Sequence, residues 1–209
     1  MHRELIERLN RLENSYSAKE FWDIVKHVKK ERINDDALLG KIEKVSLGRF
    51  REKVSFTLNV RAGNMLAIII TIAAVVLAFR ITSDLMPYFG ALVLMTTLHP
   101  LSHYLTGSLV GVRFTHYYLN GPARIEPTLR IDYSSYLKTS GGKRALMHVS
   151  GVIGTLLAPL VAAVIALERG ANGVVLNLFI FFLILIVFEL LTSTKIGDLM
   201  RAKREYKFG

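Results

Sequence analysis

Hydrophobic and polar positions follow two different patterns on either side of residue 60. Before it, apolar residues recur at helical spacing among charges. Leu5, Leu9 and Leu12 mark a first helix. Ser17-Ala18-Lys19-Glu20 reads as a capping box, with Ser at the N-cap and Glu at N3. The helix it opens carries Phe21, Ile24, Val25 and Val28 on one face. Asn34, Asp35 and Asp36 offer the cap of a third helix with Leu38, Ile42 and Val45. Residues 1–60 are therefore expected to form a cytoplasmic helical segment. Met1-His2-Arg3-Glu4 is charged and helical in pattern, so no cleavable signal peptide is expected.

After residue 60 the apolar residues come in long blocks. Four transmembrane helices are expected, at about 62–79, 85–112, 145–167 and 173–191. About 18 residues at a rise of 1.5 Å just cover the hydrocarbon core. The first span has little polar content beyond Asn64 and Thr71 and reads as a lipid-facing anchor. The second differs: it carries Thr96, Thr97, His99, Ser102, His103, Tyr104 and Thr106, with Gly107 and Gly111 at a spacing that suits close helix approach. The third contains His148, Ser150, Gly151, Gly154, Thr155 and Pro159. The fourth contains Asn177 and Glu189 and continues toward Asp198.

Between the second and third spans, residues 112–119 are aromatic and β-branched, and Asn120-Gly121 is a hairpin signal followed directly by Pro122. Ala123 to Tyr133 is expected to return as the second strand of a hairpin at the membrane surface, its tyrosines anchored at the interface. The expected fold class is mainly α. It is a polytopic membrane protein whose residues 61–209 form the membrane domain.

Composition agrees with this division. Hydrophobic residues make up 51% of the 209, and mean hydropathy is +0.35. The net charge of +10 comes from basic residues that flank apolar spans, so nucleic acid is not an expected partner and membrane lipid is. Arg113, Arg124, Arg130, Lys138, Lys143 and Arg144 crowd the long connection. Lys195, Arg201, Lys203, Arg204 and Lys207 crowd the tail, while the other two connections hold Arg80 and Arg169. The charge bias places both termini and the long connection in the cytoplasm of a multi-pass cell-membrane protein. With no cysteine, disulfides and thiolate metal sites are excluded, and any metal must use His, Asp or Glu.

The chemistry concentrates at His99-Pro100-Leu101-Ser102-His103. Two histidines four apart share one helix face. Ionisable residues within a membrane span point to function. Asp198 closes the fourth span on the same side of the membrane. Two imidazoles and a carboxylate would make a zinc site with one open position. Other readings of these residues stay open. The histidines would also serve as a hydrogen-bonded core pair beside a proline. Asp198 would also pair with Lys195 or Arg201, and His103 with His148 would suit a haem.

Residues 85–201 resemble the site-2 protease family of intramembrane zinc metalloproteases. His99-Pro100-Leu101-Ser102-His103 stands where the family has His-Glu-x-x-His. Ser150-Gly151-Val152-Ile153-Gly154-Thr155 is similar to the family's Gly-Pro-x-x-Asn stretch, and Gly197-Asp198 to its late aspartate. The resemblance implies zinc on His99, His103 and Asp198. Ser150, Gly151, Thr155 and Lys195 would lie around the metal and substrate, and the substrate or client would be a transmembrane protein. It also marks a departure: the family's general-base glutamate is replaced by Pro100, so the catalytic residue is left unassigned. A second reading is a catalytically inactive relative that binds or regulates a membrane client.

Overall fold

A computed structural model describes residues 2–121 and 125–209. Met1, Pro122, Ala123 and Arg124, on which part of the expected hairpin turn and loop charge falls, lie outside the described residues.

The first three helices are α1 (His2–Asn14), α2 (Ala18–Lys30) and α3 (Asp36–Lys53). Their starts follow the expected caps: Ser17 Oγ accepts from Glu20 N–H, and Asp35 Oδ1 accepts from Leu38 N–H at 2.9 Å. The reciprocal half of the capping box is not used in the expected way, because Glu20 instead accepts from Arg8 Nε at 3.0 Å. Leu5, Leu9, Leu12, Ile24, Val28, Leu38 and Ile42 are buried together, as their periodicity predicts.

The apolar part contains α4 (Val60–Arg80), α5 (Leu85–Leu109), α7 (Gly141–Glu168) and α8 (Asn172–Thr192). A short α6 (Tyr133–Lys138) precedes α7, and α9 (Asp198–Tyr206) follows α8. Among the described residues three helices, α4, α7 and α8, are long and apolar enough to cross a membrane. Three of the four expected spans are thus supported, and the second coincides with the 25-residue helix α5, which is not one of these three. Its histidines, threonines and serines dilute its apolar character.

The expected hairpin is present as β2 (Phe114–Asn120) and β3 (Glu126–Ile131), with Asn120 opposite Glu126 and Gly121 at φ +81°. A third strand, β1 (Thr57–Asn59), pairs antiparallel with β2, so the sheet order is β1-β2-β3. Three findings depart from the sequence reading. Tyr117 is buried in β2: its hydroxyl donates to Asn64 Oδ1 at 2.7 Å, and its ring lies where a side chain on Gly63 would stand. The first span is thus more than a lipid-facing anchor, and it also sets the Thr71 hydroxyl 2.8 Å from that of Thr97. Gly111 does not pack helices. It ends α5 at φ +96°, where Val112 N–H bonds Gly107 C=O and Gly111 N–H bonds Ser108 C=O.

A buried ion cluster joins the two parts. Glu205 on α9 accepts from Lys29 Nζ of α2 at 2.6 Å and from Arg144 Nε of α7 at 2.8 Å. Glu43 of α3 likewise pairs with Arg130 of β3 at 2.8 Å and accepts from Tyr133 N–H.

Candidate metal centre

α5 runs through Pro100 without interruption and presents His99 and His103 one turn apart, with ring centroids separated by 4.8 Å. The third residue arrives from a break in the chain. α8 ends at Thr192, and the chain turns over residues 193–197 before α9 begins at Asp198. Ser193 builds this turn. Its Oγ accepts from Leu199 N–H at 3.0 Å and its carbonyl from Met200 N–H at 2.8 Å, which caps α9 in place of an ordinary N-cap residue. Gly197 allows the close approach, because a Cβ there would meet the Ser193 side chain.

The result is convergence on one oxygen. His103 Nε2 is 3.0 Å and His99 Nε2 is 3.3 Å from Asp198 Oδ2. Donors about 2.1 Å from a tetrahedral zinc stand about 3.4 Å apart, close to these separations. Among the described residues, His99, His103 and Asp198 form a group that can hold a metal ion.

The remaining ring nitrogens fix which atoms are free. His103 Nδ1 is 2.7 Å from Met147 C=O, which can only accept, so Nδ1 carries a proton. Thr155 Oγ1 donates to Gly151 C=O at 3.3 Å and therefore accepts from His99 Nδ1 at 2.9 Å. In the neutral imidazoles both Nε2 atoms then carry lone pairs, and both face a carboxylate oxygen. That juxtaposition is repulsive unless a proton or a metal cation lies among the three. The donor set fits a metal on these grounds, and its outer hydrogen bonds are those that orient histidine ligands.

Burial opposes ionisation of Asp198. With a proton shared among the three, the imidazoles of His103, His148 and His99 around it prevail over burial and hold the carboxyl well below its ordinary range. His148, which the sequence places in the third span without a part in the metal site, also reaches the carboxylate. It is buried, with Nδ1 3.7 Å from Asp198 Oδ1 and Nε2 3.0 Å from Tyr136 Oη. It faces Oδ1, while the histidine pair meets Oδ2. Its place two residues before Ser150, at the start of a small-residue stretch, was the only available signal.

Of the other expected residues, Gly151 lets His103 approach α7, since a Cβ would stand on Nε2. Ser150 Oγ lies within hydrogen-bond distance of the carbonyls of Met147 and Ser102, fastening α7 to α5. Thr155 orients His99. Lys195 is not brought in: it is exposed, and Arg201, at 3.4 Å, is the cation beside Asp198.

A cavity of about 330 Å³ covers the three residues. Its walls include Pro100, Met147, Glu189, Ser193 and the β3 residues Glu126 to Leu129. Asp132 caps α6 by accepting from Ser135 N–H at 2.7 Å. Searches against family models, characterised proteins and solved structures return no match to this chain.

Proposed function

We propose that the chain is an intramembrane zinc protein of the site-2 protease kind, engaging a transmembrane segment of another protein from the cytoplasmic side. The observation that carries this reading is the meeting of two imidazole lone pairs on one carboxylate oxygen, at 3.0 and 3.3 Å. Histidine and carboxylate donors suit zinc. Bound there, zinc supplies a Lewis acid that polarises a carbonyl or activates water. The chain's own residues do the rest. Thr155 and Met147 orient the imidazoles, and His148 and Arg201 hold the carboxylate. β3 has no strand partner on its cavity side among the described residues, and an extended client segment would lie beside it.

Pro100 favours a second reading, a relative that binds its client without cutting it, because proline can neither accept nor pass on a proton. Asp198 lies against both His103 and His148, which does not suit a haem held between them.

Metal content of the detergent-purified protein tests the proposal. The expected result is about one zinc per chain, lost in His99→Ala, His103→Ala and Asp198→Ala. Absence of zinc at saturating metal, or a Soret band, overturns it.

A further inference from the structure

The metal centre lacks a proton acceptor at the position beside His99, and α8 brings a carboxylate to the same cavity. On a straight continuation of α8, Glu189 and Asp198 would sit about half a turn out of phase and roughly 13 Å apart along the axis. The break at residues 193–197 removes that separation. Glu189 and the C-cap residue Ser193 are four apart, and Ser193 N–H still bonds Glu189 C=O at 2.9 Å, so they share a face. Ser193 lies directly against the turn that carries Asp198, and both Glu189 and Ser193 line the cavity over His99 and His103.

Glu189 is also costly where it stands. It is half-buried in a helix otherwise composed almost wholly of apolar residues, and it forms no ion pair among the described residues. A carboxylate at such a position points to function. Its competitors are otherwise engaged or placed. Asp132 caps α6, Glu205 is held by Lys29 and Arg144, and Glu126 is exposed near the hairpin turn.

We infer that Glu189 is the proton acceptor of this centre, supplying from α8 what Pro100 cannot supply from α5. The inference rests on the metal-site reading. As a water oxygen bonds to the peptide carbonyl carbon, the Glu189 carboxylate takes one of its protons and the carbonyl π pair moves onto oxygen. When the C–N bond breaks, Glu189 returns that proton to the amide nitrogen. One water is consumed and one carboxyl and one amine are formed, with Glu189 restored.

The test is hydroxamate binding to the zinc-loaded protein, because a hydroxamate donates its proton to a neighbouring carboxylate while its oxygens take the metal. Leucine hydroxamate is the probe. Glu189→Gln is expected to keep wild-type zinc stoichiometry, weaken the hydroxamate at least tenfold, and slow cleavage of a helical membrane peptide about 10²–10⁴-fold. Where the wild-type chain cuts no peptide, hydroxamate affinity alone decides. Unchanged affinity in zinc-loaded Glu189→Gln overturns the inference and leaves the metal site standing. So does an affinity loss that appears in Glu126→Gln instead. If Glu189→Gln does not fold, Glu189→Leu, which matches the apolar helix around it, carries the test, and unchanged affinity there is equally fatal. Failure of the wild-type chain to bind zinc defeats the metal reading itself, a separate result.

Discussion

In α1 to α3 the side chains with no exposed surface are large: Leu9, Ile24, Leu38 and Ile42. In α4 and α5 the buried positions are mostly small or polar, among them Gly63, Asn64, Ala67, Ala74, Gly90, Ala91 and Thr97. The large residues of α4 point outward, with Ile69 and Ile72 60% and 58% exposed. The contrast is the one that a change of solvent from water to lipid would produce. Against water, burying a large apolar side chain is the main driving force. Against lipid it gains little, so helices associate by close backbone approach and hydrogen bonds between polar side chains. A polar, metal-ready cavity therefore belongs with the second kind of packing, where α5 and α7 meet through Gly151 and Gly154.

The largest expected effect comes from breaking the link between the two regions. Glu205→Gln leaves Lys29 and Arg144 buried without their counter-charge and is expected to cost about 3–5 kcal/mol in denaturant unfolding. The same carboxylate gives a pH dependence. Burial resists its ionisation, but Lys29 and Arg144 together hold its pKa below the ordinary 4.5. Its contribution is thus complete above pH 4.5 and is lost as pH falls below that value. Acid titration of stability is expected to be shallower in Glu205→Gln than in the wild type.

Matched truncations sharpen the comparison directly. Leu9→Ala is expected to destabilise by about 2–5 kcal/mol, because it opens a cavity in a filled core. Ile72→Ala on the outward face of α4 is expected to cost less than about 0.5 kcal/mol in the same unfolding assay. Comparable costs at the two positions would show that α4 is covered by protein rather than lipid. Thr71→Val, which removes one interhelical hydrogen bond, is expected to fall between these two at about 0.6 kcal/mol.

The same contrast explains what could be read from the chain. Leu5, Leu9 and Leu12, and the Ser17 and Asp35 caps, announce their helices because periodicity and capping are local. The two histidines were visible through their spacing, and Asp198 through its place at the end of an apolar run. Tertiary features were not visible. β1 is three residues long and carries no alternation of its own; it exists because β2 offers an edge. Tyr117 looked like an interfacial anchor because nothing local reveals that Gly63 leaves room for its ring. The turn at 193–197 contains no proline, and its cause is Ser193 capping a helix six residues ahead. Both Glu189 and His148 join the site through that turn or through packing across helices.

The carboxylate that meets His103 is 95 residues further along the chain. At ribosomal speeds of about 5–20 residues per second, roughly 5–20 s separate their synthesis. During that interval the histidine pair exists without its counterpart, and the turn that delivers Asp198 has not been made. Assembly of the centre is thereby a late event, gated by the emergence and docking of α9. A metal that enters through the histidines alone would be held by two donors until the third arrives.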